Sequence, residues 1–400
     1  MKAVIFTLIG WLSISCTNAQ PGCTDPQALN FDPVAVLNDG SCTYPPTTYF
    51  PTEIAHLPAN LMEASGLEFY DDQLWVQQDG GDGTQVYTLD TLTGTVLQTY
   101  PLPTLANVDW EDLAEDATHL YIGDFGNNAG NRTDLRIYKI NKNDLLAGTG
   151  TAEAIDFSFS DQTDFNTANL ATHHDCEAFF AFGDSLHLFS KDWLDLKTRH
   201  YVLPTTPGTH VAQLRDSLDV GGLVSGADLS PGGNATLLCY NLSTAEVFIW
   251  LLFDFPGSQF FAGNKRKISL GTPLNIGKAE GIAFRNGTDG YICSERYSII
   301  PQRLHKFSVE QWVENPSAVH QMDARAISIF PNPFSDFLSI DIQGVGEEQF
   351  YLVGTDGRVL RSVTLQIGKS ELNTTGLPAG MYFLLVKNGD KIAVRSLVKI

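Results

Sequence analysis

From Tyr49 to about Met322 short apolar runs carry polar residues at alternate positions and are separated by turns rich in Asp, Gly and Thr. Alternation of this kind predicts strands with one face turned to a core, and the helical period is nowhere sustained. The first set reads Ser65 to Phe69, Gln73 to Gln77, Gln85 to Leu89 and Thr95 to Tyr100, a four-stranded antiparallel meander. Similar sets follow at Leu120 to Gly123, Leu135 to Ile140 and Ala154 to Phe159; at Ser185 to Ser190, His200 to Leu203 and His210 to Leu214; at Ala235 to Tyr240, Glu246 to Leu252 and Arg266 to Leu270; and at Gly290 to Cys293 and Arg303 to Phe307. Each set is preceded by one frame: Glu63-Ala64-Ser65-Gly66-Leu67, Asp109-Trp110-Glu111-Asp112-Leu113, Asp175-Cys176-Glu177-Ala178-Phe179, Leu223-Val224-Ser225-Gly226-Ala227 and Lys278-Ala279-Glu280-Gly281-Ile282. Aligned on positions 66, 112, 178, 226 and 281, the copies are 46, 66, 48 and 55 residues apart. Spacings of this size are those of β-propeller blades, and the frame marks the innermost strand of each. The count is five blades, or six if the 66-residue interval hides a degenerate one. The last set lacks a fourth strand, and Tyr49 to Leu57 is placed to supply it.

A second pattern begins at Ala324. Strands are expected at Phe337 to Ile342, Phe350 to Val353, Val359 to Leu365, Met381 to Lys387 and Ile392 to Lys399, which gives a small β-sandwich and an all-β chain overall. Pro331-Asn332-Pro333, Thr355-Asp356-Gly357-Arg358, Leu377-Pro378-Ala379-Gly380-Met381-Tyr382-Phe383 and the terminal Leu397-Val398-Lys399-Ile400 resemble the type A C-terminal sorting domain of the type IX secretion system. The resemblance implies an immunoglobulin-like sandwich read by the outer-membrane translocon, and a protein secreted or attached to the cell surface. Pro331, Asn332, Pro333, Gly357, Arg358, Gly380 and Tyr382 carry the motif.

The start of the chain agrees with export. Lys2, the apolar stretch Ala3 to Ile14 and Thr17-Asn18-Ala19 read as a secretory signal over residues 1–19. Residues 20–46 form a module in which Cys23 and Cys42 bracket a polar loop, most simply as a disulfide. Gly22-Cys23-Thr24-Asp25-Pro26 and Asp39-Gly40-Ser41-Cys42 resemble a module of exported bacterial proteins. Its Asp25, Asn30, Asp32, Asn38 and Asp39 are calcium ligands or ordinary turn formers. Pro45-Pro46-Thr47-Thr48 reads as a stiff linker. The domain plan is thus 1–19, 20–46, a propeller over 47–323 and a sorting domain over 324–400. No later segment is long and apolar enough for a transmembrane helix.

The formal charge of −21 changes the picture of partners. It lies in the body, because residues 324–400 hold eight Lys/Arg against seven Asp/Glu. An acidic body repels nucleic acid and anionic membranes and tolerates divalent cations. Within the frame, Asp109 with Glu111 and Asp175 with Glu177 stand two residues apart and share a face, and Glu280 holds the same place in the fifth copy. Convergence at one channel mouth makes these five carboxylates the candidate metal ligands, with calcium the natural ion. Lys278, Arg296, Asp124 and Glu295, the last three at the ends of second strands with Asp79, Lys191 and Asn241, are candidate ligand-binding residues, with turn chemistry as the alternative. His173-His174-Asp175-Cys176-Glu177 offers a transition-metal set of His173, Asp175 and Glu177. Cys176, Cys239 and Cys293 lie on apolar strands and read as buried free thiols. No nucleophile elbow, phosphate loop or His-Glu-x-x-His occurs. The first expectation is therefore an exported binding propeller whose acidic mouth holds a cation, a small ligand or a surface glycan. The frame also resembles phytase-like and esterase-like propellers, which implies a calcium-dependent phosphoester or ester hydrolase as an alternative, and a structural or adhesive surface protein is the third.

Overall fold

A computed structural model describes residues 20–81, 83–313, 327–354, 359–388 and 391–400. The expected signal over Met1–Ala19 and the motif residues Thr355, Asp356, Gly357 and Arg358 lie outside the described residues. Two units separate at Val313, and each is taken by itself.

The first unit is a five-bladed propeller. Blade 1 comprises Ala64–Tyr70, Gln73–Gln78, Gln85–Leu89 and Val96–Pro101; blade 2, Trp110–Glu115, His119–Asp124, Arg136–Asn141 and Ala152–Phe159; blade 3, Asp175–Phe182, Ser185–Lys191, Lys197–Pro204 and Gly208–Asp219. Blade 4 comprises Leu223–Leu229, Ala235–Asn241, Glu246–Phe253 and Asn264–Gly271, and blade 5, Lys278–Phe284, Asp289–Glu295 and Arg303–Ser308. The fourth strand of blade 5 is Thr52–His56 from the start of the chain, antiparallel to Arg303–Ser308, so the ring closes as expected. The 66-residue interval holds no sixth blade among the described residues; its surplus goes into a long turn after Asp124, a short helix at Lys142–Leu146 and the connection from Ser160 to His174. One contact was not expected: the outer strands Ala152–Phe159 and Gly208–Asp219 pair in parallel and join blades 2 and 3 into one eight-stranded sheet.

The core lies between blades rather than at the centre. Along the second strand of blade 4, Leu237 and Cys239 pack towards blade 3 with Phe180 and Phe189, while Leu238 and Tyr240 pack towards blade 5 with Ile282 and Ile292. Trp75 likewise faces blade 2, where Leu113 and Ile122 meet it, and Leu74 and Val76 face blade 5. Period-two alternation thus feeds two cores from one strand, which is why these strands read as near-continuous apolar runs. Cys176, Cys239 and Cys293 are buried free thiols within these layers.

Cys23 and Cys42 are disulfide-bonded. The supposed linker is not one: Thr47–Thr48 adds a short parallel strand to the outer edge of blade 4, pairing with Ile268 and Ser269. The module docks on the same edge, where the Arg266 guanidinium donates to Gln27 Oε1 (2.9 Å) and the Asn38 amide donates to Asn264 Oδ1 (3.0 Å). Its polar oxygens are occupied by its own turns. Asp25, Asp32, Asn38 and Asp39 each accept from the backbone N–H two residues ahead, and Asn30 accepts from Thr43. That is Asx-turn chemistry.

The second unit is a five-stranded sheet, Ile327–Phe330, Phe337–Gly354, Val359–Asn373, Gly380–Asn388 and Lys391–Lys399. Phe337–Gly354 shifts register between Ile342 and Glu347, which lets its two halves face each other across one core. Leu338 and Ile340 of the first half meet Phe350 and Leu352 of the second, together with Phe334, Leu384 and Leu397. Of the motif residues, Asn332 Oδ1 accepts from the Val398 N–H (2.9 Å) and the Tyr382 hydroxyl donates to the Pro378 carbonyl (2.6 Å), so they set the turns and the seating of the last strand.

Candidate functional site

Each inner strand breaks register with its neighbour at the frame. Pairing passes over Glu111 in blade 2, Glu177 in blade 3, Ser225 in blade 4 and Glu280 in blade 5, and over Ser65 and Gly66 in blade 1. A bulge adds one unpaired residue and re-aims its side chain. Here the same bulge, repeated around the ring, turns the frame residue out of the sheet towards the channel. The next position must let inner strands approach: a Cβ on Gly66 would stand 2.6 Å from the Leu113 nitrogen, and one on Gly281 would stand 2.0 Å from the Ser65 carbonyl oxygen. In blade 2 that place is taken by Asp112, fully buried, whose carboxylate accepts from the N–H groups of Leu113 (2.9 Å), Phe179 (3.2 Å) and Ala227 (3.4 Å). One side chain thereby ties blades 2, 3 and 4.

Second strands run antiparallel to inner strands, so their ends reach the mouth where the inner strands begin. Asp175 pairs with Lys191, Lys278 with Glu295 and Trp110 with Asp124. Asp79, just after the second strand of blade 1, joins Asp109 and Glu111 to form a cluster in which one oxygen from each lies within 4.8 Å of the others. The Glu111 side chain is 5 % exposed and has no hydrogen-bond or ion-pair partner among the described residues. Burial pushes its carboxyl well above the usual range, helped by the charges of Glu177, Asp79 and Asp109. Asp109 is pushed up to about 6 by burial and then by Asp79 and Asp175, and Asp79 is also raised by burial. Three carboxyls that give up their protons reluctantly because they lack a cation partner are what a divalent ion would relieve.

The loop after Asp124 walls the cluster. The Gly126 N–H donates to the Asp109 carbonyl (3.2 Å), and a Cβ at Gly126 would come within 2.1 Å of Glu111 Oε1 and 2.4 Å of Asp109 Oδ2. Arg132 pins this loop, donating to the Gly126 carbonyl (2.9 Å) and pairing with Asp124 (3.0 Å), which in turn accepts from the Asp109 N–H (3.0 Å). Asp124 therefore acts as a scaffold for the cluster.

The other sequence candidates occupy the far arc of the mouth. Asp175 is fully buried and has both oxygens engaged, by the Asn127 N–H (2.7 Å) and by the Trp193 indole (2.8 Å). Glu177 is ion-paired with buried Lys191. Burial works against the Lys191 ammonium and is the largest single influence on it, but Glu177 together with Tyr240, Glu280 and Asp175 outweighs it and the lysine stays charged. Lys278 is clamped between Glu280 (2.6 Å) and Glu295 (2.7 Å), and Glu295 is pushed up to about 8 by burial and the Glu280 charge. Arg296 is exposed, its guanidinium against the Met62 sulfur (3.5 Å). The transition-metal set does not assemble: His173 Nδ1 turns to Asp192 (2.8 Å) and Asp195 (3.9 Å), where Arg199 already pairs, and not to Asp175 or Glu177. Asn241 closes a turn, accepting from Ser243 (2.8 Å). Asp79 and Lys191, which the sequence offers only as strand-end residues, are the additions; their recurrence beside the frame is the signal that marks them.

The comparison with curated proteins finds no match. Among solved structures, the chain is similar to a PQQ-bound aldose sugar dehydrogenase of Streptomyces coelicolor (10 % identity, 65 % of this chain and 97 % of that one, TM-score 0.40). It is also similar to an exo-beta-1,3-galactanase of Phanerochaete chrysosporium (10 % identity, 90 % and 96 %, TM-score 0.41) and to a periplasmic gluconolactonase of Pseudomonas aeruginosa (11 % identity, 84 % and 95 %, TM-score 0.30). The propeller itself rests on the strand order, not on these likenesses. Residues 328–400 match the family of the secretion system C-terminal sorting domain, and the chain is cargo that the type IX secretion system exports to the cell surface or beyond it.

Proposed function

We propose that the propeller is an exported divalent-cation-binding protein, with calcium held at the channel mouth by Asp79, Asp109 and Glu111. The observation that carries this reading is the unpartnered, buried Glu111 carboxyl aimed into a cluster whose oxygens lie within 4.8 Å of one another. Hard oxygen ligands from two blades suit calcium, and across the mouth Glu177 and Glu280 are already paired with Lys191 and Lys278, which leaves the blade 1 and 2 cluster as the place for the ion. Metal binding to raised carboxyls displaces their protons, so affinity rises with pH through the range in which Asp109 ionises, about 6. Calorimetric titration of the exported chain with calcium and magnesium tests the reading. Glu111→Gln should abolish the calcium rise in Tm, a loss of roughly a hundredfold in affinity, of the order expected when one charged ligand is removed. An unchanged calcium response in that variant would refute the site.

A second reading, a calcium-dependent phosphoester or ester hydrolase, is favoured by Lys191 and Lys278, which place two ammonium groups in the same mouth as the carboxylate cluster. Such an enzyme would use the cation to polarise the ester and a carboxylate to activate water. Calcium binding without turnover of a phosphomonoester and lactone panel would leave only the binding reading.

A further inference from the structure

Blades 3 and 4 enclose a cavity away from the mouth, on the face that carries the turns between first and second strands and between third and fourth strands. Its volume is about 480 Å³, the size of a small-molecule site. The outer strand of blade 3 breaks register beside it. His200 pairs with Asp216 and Tyr201 with Leu214, so pairing passes over Arg215. A bulge of this kind re-aims a side chain, and Arg215 and its neighbour Asp216 both line the cavity. The two charges do not pair with each other. Asp216 Oδ1 faces His200 Nδ1 (2.9 Å), and His200 Nε2 faces His187 Nδ1 (2.8 Å). His200 and His187 are 1 % and 2 % exposed, and both reach the cavity wall. Their chain runs through a cluster of phenylalanines, with His200 stacked on Phe189 (5.2 Å, 14°) and His187 edge-on to Phe260 (5.0 Å, 88°). Apolar side chains would fill that place at a lower desolvation cost, so packing between the blades does not account for the histidines.

The rest of the wall holds polar groups in waiting. The Arg215 guanidinium has no hydrogen-bond or ion-pair partner among the described residues, and the side chains of Ser185, Ser258 and Gln259 make no hydrogen bond among them. Burial, then His200 and the Arg215 charge, push His187 down to about 3, so it adds no charge. Arg215 and Asp216 therefore leave the wall with one charge of each sign. A ligand that is only an anion meets Asp216, and one that is only a cation meets Arg215. A neutral polyol uses both, because each hydroxyl gives one hydrogen bond and accepts others, and the amide of Gln259 and the two serine hydroxyls match it in the same way. The Phe182 ring supplies an apolar face for the C–H side of such a molecule. We propose that this cavity binds a neutral sugar, with Arg215 donating to its hydroxyls, Asp216 accepting from them, and the histidine chain holding the Asp216 carboxylate in place. The site shares no residue with the calcium cluster, so neither reading depends on the other.

The test is saturation-transfer NMR and calorimetric titration of the exported chain with glucose, galactose, mannose and N-acetylglucosamine, beside alanine as a zwitterion and benzoate as an anion. The expected result is saturable binding of at least one of the sugars. For that sugar, Arg215→Gln and Asp216→Asn should each weaken binding by about tenfold or more, the effect of losing a hydrogen bond to a charged group. Ser258→Trp, which places an indole in the cavity entrance, should abolish it. Arg215 and Ser258 are exposed, so those two variants keep the fold, and Arg215→Gln should leave the calcium rise in Tm unchanged. Absence of saturable sugar binding, or binding indifferent to both Arg215→Gln and Ser258→Trp, would overturn the proposal. Tighter binding of alanine or benzoate than of every sugar would overturn it in favour of a charged ligand. Sugar binding that persists in a chain without a calcium response leaves this site standing alone, and a calcium response without sugar binding leaves only the cation site.

Discussion

Blades 1 and 4 carry a serine at the inner-strand bulge, whereas blades 2, 3 and 5 carry a glutamate. The backbone event is shared, so the difference lies in reach. The Ser65 hydroxyl donates to the Glu111 carbonyl (2.6 Å) and the Ser225 hydroxyl to the Ala279 carbonyl (2.9 Å), each tying its blade to the next. A glutamate at the same place extends past that carbonyl and delivers its charge into the channel, where it is neutralised by a lysine, as at Glu177 and Glu280, or left without a partner, as at Glu111. One local geometry thus serves adhesion between blades with a short side chain and site building with a long one.

The strongest way to break this comparison is at Asp112, the carboxylate beside the blade 2 glutamate that acts like the serines. Asp112→Ala strands N–H groups of Leu113, Phe179 and Ala227 in a fully buried place and should cost about 3 kcal/mol in chemical denaturation, with Asp112→Asn losing less. Gly126→Ala should lower calcium affinity about tenfold by titration with little change in Tm, because the new methyl presses on the ends of two carboxylates that can swing aside only by giving up their convergence. Ser225→Ala should cost about 1 kcal/mol and leave calcium binding intact, separating the two roles of the bulge. The smallest effect is in pH. The folded Asp109 carboxyl is raised from 3.8 to about 6, so between those values the folded chain holds a proton the unfolded chain has lost. Without calcium the contribution of Asp109 to stability therefore falls as pH rises across that window, and the fall in Tm with pH should be shallower in Asp109→Asn than in the parent chain.

Much of this was legible in the sequence. The four strands of blade 1, the completion of blade 5 by an early strand and the five frame positions follow from alternation and Asp/Gly turns, because both faces of these strands are buried and leave a dense apolar record. The bulge left no such record, since it is a backbone event that Ser65 and Glu177 share with no common side chain. Asp79 was hidden because a residue after a strand is equally well explained as a turn former, and its N–H is indeed bonded to the Glu63 carbonyl (3.0 Å). Parallel pairing of Ala152–Phe159 with Gly208–Asp219 depends on two distant segments meeting, which no local pattern encodes. Thr47–Thr48 reads as linker because Pro45-Pro46 stiffens the chain whether or not a strand follows.

The strand that seals blade 5 sets a schedule for the chain. Thr52–His56 pairs with Arg303–Ser308 across the sequence of every blade between them, so this early strand makes one of the most distant contacts in the propeller and is among the slowest to form. Until then the fifth blade offers an open edge, and along the chain the strand that accepts closure lies shortly before the export label at residues 328–400. Ring closure and address thus share one end of the sequence, and a chain truncated before Arg303 would carry neither a sealed ring nor the sorting domain.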